Sequence, residues 1–308
     1  MDIRQLEYLA ALAREKHFTR AAAACHVTQP TLSGRIRQLE LELGVPIVAR
    51  DQRFQGFTPE GERVLKWAHA ILANWHAMEQ ELAQLNSGER GLSGRLIIGG
   101  IPSALPMIPR LTSALAALHP AIEFTIHSLS SVEILRRLAD TSLDAGVTYL
   151  DNEPIEGLLT SHLYTERYCL FVSEDHPLAK RDVVTWREAA EKPLCLLTPN
   201  MQNRRIIDRA FAQSQCKPKP KIETDSIINL CSNVRAGLAS VMPEFVLELM
   251  GPGSGIAAIP LGAPKVEHAV GLVVSDRDPL PPLLRALRDA ASGIIVQKNA
   301  LRGKLVIP

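Results

Sequence analysis

The stretch VTQPTLSGRIRQLELELG, Val27–Gly44, decides the fold of the N-terminal part of the chain. Its apolar residues follow one another at spacings of four, three and four, which places them on one face of a helix. These residues are Leu32, Ile36, Leu39 and Leu43. The opposite face is small, polar and basic. The stretch therefore predicts a helix that buries one face and offers the other to a partner.

Two shorter helices are predicted before this one. Asp2 and Gln5 can form a capping box for a helix that ends near Glu15, and Thr19 can cap the alanine-rich segment FTRAAAAC. After a short turn, Thr28 can cap the quoted helix. Two helices joined by such a turn, the second with a polar outer face, form a helix-turn-helix whose second helix lies in the DNA major groove.

The side chains on the outer face suit DNA. Glutamine can bond adenine edges, arginine can reach guanine or phosphate, and hydroxyls can bond phosphates. Inside a helix, Gly34 costs about 1 kcal/mol relative to alanine, so it marks either a close approach to the duplex or a tolerated exposed position. A polar hairpin after Gly44 is typical of a wing. The predicted DNA contacts are Thr28, Gln29, Pro30, Thr31, Ser33, Gly34, Arg35, Arg37, Gln38, Arg50 and Arg53.

A long helix is predicted from Pro59 to residue 86, followed by the glycine-rich segment NSGERGLSG. Its large apolar residues alternate spacings of four and three, the pattern of a helix that packs against a partner helix. Packing against its own domain is the alternative. The predicted dimerisation residues are Val64, Ala68, Ile71, Trp75, Met78, Leu82 and Leu85.

From Arg95 onward, short apolar runs such as RLIIGG, IEFTIHSL, LDAGVTY and YCLFVS, which begins at Tyr168, alternate with helical patterns. This alternation indicates an α/β domain, in which small anions bind at helix N-termini near the carboxyl ends of strands. The residues at these junctions are mostly hydroxyl- and amide-bearing, and few are aromatic.

Several function classes find little support in the sequence. The net charge of +1 gives no general attraction to nucleic acid, no apolar run of eighteen residues spans a membrane, and the start lacks a signal peptide. We expect a cytoplasmic protein without metal, cofactor or catalytic residues. The five cysteines lack metal-ligand spacing, and no GxSxG, P-loop, GxGxxG or HExxH motif occurs. A hydrolase site built from distant residues is the enzyme alternative.

The segments FTRAAAACHVTQPTLSGRIRQLELELGVPIVAR and FTPEGERVL resemble the LysR-type transcriptional regulators, in an ungapped pattern that reaches about Glu89. The resemblance implies an N-terminal all-α winged helix-turn-helix with a long linker helix, and a C-terminal α/β periplasmic-binding-protein-like domain of two subdomains. Gly34 departs from the family, in which a basic residue is frequent at that position. We expect a DNA-binding domain (1–58), a linker helix (59–86), a hinge (87–94) and an effector-binding domain (95–308), whose subdomains comprise 95–162 with 267–308, and 163–266.

The resemblance also implies an effector site between the subdomains. The family's effector contacts correspond best to Ser103, Ser130, Thr148 and Asn203, although each serine could instead cap a helix. Arg204 is a candidate countercharge for a carboxylate or else a solvated helix residue. The full set of predicted effector contacts is Pro102, Ser103, Ser130, Thr148, Tyr149, Asn203, Arg204 and Ile227.

The resemblance implies how such a regulator would work. A homodimer or homotetramer would hold double-stranded DNA at a pseudo-palindromic operator, and a small carboxylate or similar anion would close each cleft and alter contact with RNA polymerase. The segments RDQRFQGFTPEGERV and IPSALP resemble a branch linked to formate dehydrogenase operons, which suggests formate. An architectural DNA binder that needs no effector is the alternative outside the enzyme class.

Overall fold

The computed structural model describes residues 1–50, 54–87, 91–151, 154–251 and 253–302. They form two compact units: the first comprises the described residues up to 87 together with Ala139–Ser142, and the second comprises the other described residues from 91 onward. No helix among these residues is long and apolar enough to cross a membrane.

The first unit contains four helices and a hairpin within the described residues. Its elements are α1 (Ile3–Glu15), α2 (Phe18–Ala24), α3 (Gln29–Leu43), β1 (Val48–Arg50), β2 (Phe54–Phe57) and α4 (Pro59–Ser87). The strands β1 and β2 pair antiparallel and form the predicted hairpin. This is the architecture of a winged helix-turn-helix followed by a long helix.

Local capping explains where these helices begin. The predicted capping box of α1 is confirmed, since the side chains of Asp2 and Gln5 each accept the other's backbone N–H. Thr28 Oγ1 accepts the backbone N–H of Thr31 at 3.4 Å and caps α3. The prediction for α2 was wrong: His17 is its N-cap, because Nδ1 of His17 accepts the N–H of Thr19 at 3.2 Å.

The quoted helix buries most of the predicted face. Leu32, Ile36 and Leu39 are fully buried against α1 and α2, whereas Leu43 is 41% exposed. Leu43 is the last residue of α3, and the chain turns away at Gly44, whose φ of +68° favours glycine. The last apolar residue of the predicted helix face therefore lies outside the core of the unit.

The apolar residues of the long helix α4 form two groups, one packed in the first unit and one exposed to solvent. Ala68 is buried in the core of the first unit, and Val64 and Ile71 pack against that core. These predicted dimerisation residues are thus engaged within their own unit, because α4 must also cover the helix-turn-helix. The large exposed apolar residues among the described side chains of α4 are Trp67 (71%), Trp75 (38%), Met78 (42%) and Leu82 (48%). The side chain of Leu85 lies outside the described residues.

The second unit is an α/β domain. Its strands are β3 (Ser93–Gly100), β4 (Ala121–Ser128), β5 (Ala145–Tyr149), β6 (Leu158–Ser173), β7 (Cys195–Leu197), β8 (Ile222–Thr224), β9 (Ser240–Pro243), β10 (Ile256–Pro260) and β11 (Glu267–Ser275). Seven of them form one sheet with the order β10-β6-β11-β5-β3-β4, in which β9 also pairs with β6. The other two, β7 and β8, pair parallel with each other. The helices are α5 (Ile108–Leu118), α6 (Ser131–Ala139), α7 (Trp186–Ala190), α8 (Gln202–Gln213), α9 (Ile227–Arg235), α10 (Phe245–Met250) and α11 (Pro282–Arg302).

The long strand β6 runs through both halves of this unit. Its residues 158–167 pair with β11, and its residues from Tyr168 onward pair with β9 and β10. The strand partners therefore change between Arg167 and Tyr168. The expected crossing near His162 falls earlier in the same strand, because the strand continues without a break through the position at which its partners change.

Candidate functional site

The outer face of α3 is open to solvent. The predicted DNA contacts of this helix and its cap are exposed, except for Ser33, which is half-buried. These exposed residues are Thr28, Gln29, Pro30, Thr31, Gly34, Arg35, Arg37 and Gln38. An additional side-chain atom at Gly34 would meet no atom of the described chain within 4 Å. The helix therefore presents a continuous polar and basic surface with a gap at Gly34.

A carboxylate of α3 holds the hairpin. Glu40 Oε1 accepts the backbone N–H groups of Ile47 and Val48 at 2.9 and 3.0 Å, which ties the start of β1 to α3. Arg50 is the last residue of β1. Arg53 lies outside the described residues. The start of the hairpin is thus fixed to the C-terminal half of α3.

The second unit holds a buried polar cluster that we define as Ser103, Tyr149, Tyr164, Glu166, Tyr168 and Asn203. Every member is at most 5% exposed. Three of the predicted effector residues, Ser103, Tyr149 and Asn203, belong to it. The cluster lies beside the change of strand partners in β6, where the two halves of the unit join.

Glu166 is the acceptor at the centre of this cluster. The hydroxyls of Tyr149 and Tyr168 donate to its Oε2 at 2.9 and 3.2 Å, and the hydroxyl of Tyr164 donates to its Oε1 at 3.3 Å. Asn203 Nδ2 donates to the Tyr149 and Tyr168 hydroxyls at 3.4 and 3.3 Å. Side chains from β5, β6 and α8 therefore share one hydrogen-bond network.

Ser103 lies at the edge of this network. Its hydroxyl is close enough to Glu166 and Tyr149 to lower the pKa of both, yet it forms no hydrogen bond of regular geometry within the described chain. A buried hydroxyl without a regular partner is costly. Ser103 therefore has hydrogen-bonding capacity left for another molecule.

Burial controls the charge of the cluster. It raises the pKa of Glu166, and the neighbouring hydroxyls only partly oppose this rise. Burial raises the pKa of Tyr149, Tyr164 and Tyr168 well above the usual range, so these phenols stay protonated. The cluster is thus rich in hydrogen-bond donors that carry no charge.

Three other predicted effector residues lie outside the cluster as defined. Ser130 is half-buried, and its Oγ accepts the backbone N–H of Glu133 at 3.3 Å, as a helix cap does. Thr148 is fully buried with an unpaired hydroxyl within the described chain. Because neighbouring strand residues point to opposite faces, Thr148 lies on the other side of the sheet from Tyr149. Pro102 is half-buried beside Ser103.

Arg204 and Ile227 do not join the cluster. Arg204 bonds Asp208 at 2.9 Å, Glu223 at 2.6 Å and the carbonyl oxygen of Leu197 at 2.8 Å. Two carboxylates thus already neutralise the guanidinium, which corrects its expected role as countercharge to an effector. Ile227 packs in a separate apolar cluster, so its predicted contact is not supported.

Sequence reasoning missed Tyr164, Glu166 and Tyr168. The signal was present, since the three residues alternate along one strand and therefore share one face. An acidic residue facing inward between two tyrosines is unusual for a structural strand. The prediction began this strand only at Tyr168 and so left out the first two residues.

Comparison with known proteins decides the family. Residues 3–62 match the family described as "Bacterial regulatory helix-turn-helix protein, lysR family", and residues 89–293 match the "LysR substrate binding domain". The chain belongs to the LysR family. The second match alone covers more than half of the chain. The LysR chain is therefore a DNA-binding transcriptional regulator with an effector-binding domain, and not an enzyme.

Relatives of this LysR regulator match it over nearly its whole length. The "DNA-binding transcriptional dual regulator OxyR" of Escherichia coli (strain K12) is 32% identical over 295 residues, which are 94% of each chain. A "Hydrogen peroxide-inducible genes activator" of Pectobacterium carotovorum is 31% identical over 294 residues, 94% of this chain and 95% of that one.

Solved structures share the fold. A full-length OxyR point variant from Pseudomonas aeruginosa has a TM-score of 0.72 and 27% identity, with 94% of this chain and 97% of that chain covered. Full-length CbnR complexed with its target DNA has a TM-score of 0.63 and 18% identity, with 96% and 100% covered. The predicted architecture, a winged helix-turn-helix with a linker helix and a two-subdomain α/β domain, is confirmed.

Proposed function

We propose that this LysR regulator binds a small carboxylate or similar anion at the buried polar cluster, and that this binding alters its hold on an operator. The observation that supports the proposal is the uncharged cluster at the join of the two halves of the second unit, in which the Ser103 hydroxyl still lacks a regular partner within the described chain. A hydrogen bond from such a donor to an ionised ligand is stronger than one between neutral groups. Formate, the smallest carboxylate, is the first candidate.

The proposed domain division follows the expectation from sequence. A DNA-binding domain (1–58), a linker helix (59–86) and a hinge (87–94) precede an effector-binding domain (95–308). We move the first crossing between its subdomains from His162 to the partner change after Arg167. Ligand binding at that join would favour one arrangement of the subdomains over another.

We propose that the exposed face of α3 enters the major groove and that the hairpin contacts the adjacent backbone. Arg37 is exposed at the middle of this face. Replacing Arg37 with alanine should weaken binding to an operator selected from random duplex DNA and reduce the salt slope by about one. Fluorescence titration at several salt concentrations measures both.

The matched control for Arg37 is Arg95→Ala, an exposed arginine of the second unit that pairs with Glu123 at 2.9 Å. It removes the same charge from the other unit of the chain. An Arg37→Ala protein with unchanged affinity and salt slope would remove Arg37 from the interface.

Replacing Gly34 with alanine should have opposite effects on protein stability and on operator affinity. Since an added Cβ at Gly34 contacts nothing in the described chain, Gly34→Ala should stabilise the protein by about 1 kcal/mol. The same methyl group should lower operator affinity by about tenfold if the helix lies close to the base pairs. Thermal unfolding and DNA titration measure the two effects.

Gly293→Ala is the control, because Gly293 also lies in a helix with nothing within 4 Å of an added Cβ. It should stabilise the chain without changing DNA affinity. Unchanged operator affinity in Gly34→Ala would identify the glycine as merely tolerated.

We propose a homodimer, or a tetramer built from it, through the exposed apolar residues of α4. Trp75, Met78 and Leu82 are large side chains that leave apolar surface in water. A second copy of α4 has the matching surface and satisfies the symmetry of a pseudo-palindromic operator. Contact with RNA polymerase and a cytoplasmic location are part of the same proposal.

The effector is tested by calorimetry on the full chain with formate, acetate, oxalate, nitrate and cyanate. A saturable binding isotherm for at least one of these anions is expected. Absence of binding across the panel would contradict the anion proposal and favour an architectural DNA binder that needs no effector.

Hydrogen peroxide is the second candidate signal, because the relatives named above include peroxide-inducible activators. Those names give formate no support. A cysteine sensor requires an accessible thiolate. Burial raises the pKa of Cys169 to about 12 and of Cys195 to about 11, and it also raises the pKa of Cys231. We therefore expect these three buried thiols to stay reduced during peroxide treatment.

A further inference from the structure

Glu166 poses a problem for the proposed anion site, on which the present inference rests. Its carboxyl group is 1% exposed and accepts hydrogen bonds from three tyrosines. No positively charged side chain pairs with it in the described part of the chain. An ionised Glu166 would repel an anion bound beside it, and the low polarity of the surroundings would strengthen this repulsion.

The groups that face Glu166 come from several elements. On β11, His268 is its cross-strand partner, and the His268 ring lies 6.1 Å from that of Tyr149. Nδ1 of His268 lies 3.1 Å from Oδ2 of Asp151, so a charge on this histidine is already matched by a carboxylate. From α8, Asn203 contributes only an amide.

The nearby cation of α5 is also engaged elsewhere. The guanidinium carbon of Arg110 lies 5.5 Å from the centre of the Phe245 ring, and Phe245 in turn packs on Tyr164 at 5.6 Å. Arg110 thus stacks on the far member of an aromatic pair. Within the cluster, Glu166 is stabilised by hydrogen bonds from hydroxyl groups and not by a cation.

We propose that Glu166 takes part in the effector site as a neutral carboxylic acid, so that the site binds a small anion together with one proton. The proton resides on a Glu166 oxygen, and the anion accepts the resulting O–H as a hydrogen bond. No bond within the anion changes. Where Glu166 is ionised in the free protein, the proton comes from solvent.

This arrangement turns the central acceptor of the cluster into a donor for an anion. A carboxylic acid supplies one O–H donor, which an ionised carboxylate lacks. The Ser103 hydroxyl, which has no regular partner within the described chain, adds a second uncharged donor. Such a site holds an anion without a lysine or arginine beside it. Burial, which raises the pKa of Glu166, favours the same protonation state.

The sign of the pH dependence follows from linkage. Because the bound state requires protonated Glu166, the affinity is constant at pH values below the pKa of Glu166 in the free protein. Above that pKa, the dissociation constant should rise by about tenfold per pH unit. The effector response should therefore weaken as the pH rises.

The test uses the full chain and formate, an anion throughout the mildly acidic to mildly alkaline range. Titration calorimetry in two buffers of different ionisation enthalpy measures both the dissociation constant and the protons taken up. We expect the dissociation constant to rise with pH in the wild type and to be independent of pH in Glu166→Gln, whose amide stays neutral. Glu267→Gln removes an exposed carboxylate of the next strand and should behave as the wild type.

If the dissociation constant of the wild type does not change with pH, an infrared difference spectrum of wild type minus Glu166→Gln shows whether Glu166 is protonated. A protonated-carboxyl band that persists across the range would mean that Glu166 never ionises there and would support the proposal. A carboxylate band together with a flat profile would overturn it while leaving the anion site intact. If no anion of the panel binds at any pH, the proposed function fails and this inference fails with it.

Discussion

Replacing Trp75 with aspartate should convert the oligomer to monomers and lower operator affinity by about 100-fold or more. Trp75 lies with Met78 and Leu82 on the exposed apolar surface of α4, beyond the residues that cover the helix-turn-helix. A charge placed in the middle of a helix pair would have to be buried without a partner. The loss of the second DNA-binding domain from the complex then removes the gain from bivalent binding. Analytical ultracentrifugation and operator titration measure the two effects.

Lys66→Gln is the matched control for Trp75→Asp. Lys66 is exposed on α4, nearly opposite Trp75 around the helix, and its replacement lowers the net charge by the same amount. The control should leave the oligomer unchanged. A Trp75→Asp protein with the native sedimentation coefficient would show that α4 does not form the interface.

The second large effect is expected at Ser103. Replacing it with alanine removes a buried hydroxyl from the edge of the polar cluster, and it should lower anion affinity by about 10- to 100-fold. The free protein loses no regular hydrogen bond, since Ser103 Oγ has none within the described chain. Its stability and operator affinity without effector should therefore be close to those of the wild type.

Ser113→Ala serves as the control for Ser103→Ala, because Ser113 is an exposed serine on α5 of the same unit. Calorimetry with the anion and operator titration with and without it separate binding from response. A Ser103→Ala protein that binds the anion as tightly as the wild type would exclude Ser103 from the site.

The helices of the first unit could be predicted because their signals are local. The capping box of α1, the Thr28 cap and the buried face of α3 each depend on residues within a few positions of one another. The start of α2 could not be fixed, since His17 and Thr19 are both able to cap and only the folded geometry selects between them. For α4, periodicity predicted an apolar surface without separating the residues that cover the first unit from those left exposed.

The polar cluster was predicted only in part because its contacts join distant residues. Tyr149 and Asn203 were placed at strand-to-helix junctions by sequence pattern, and they do meet. Glu166 was missed because the pattern began the strand at Tyr168. Arg204 was misread because Glu223, its partner, is far along the chain and nothing local reveals the pair. The sequence thus did not reveal which distant residues pair with its charged residues.

Effector binding in the second unit should change operator binding by the first unit, and reciprocal titration measures this coupling. Operator affinity of the full chain is measured with and without saturating formate, and formate affinity is measured with and without saturating operator. We expect each ligand to change the affinity for the other by the same factor, because coupling free energy is reciprocal. Formate that binds tightly while leaving operator affinity unchanged would show that the two sites are not coupled.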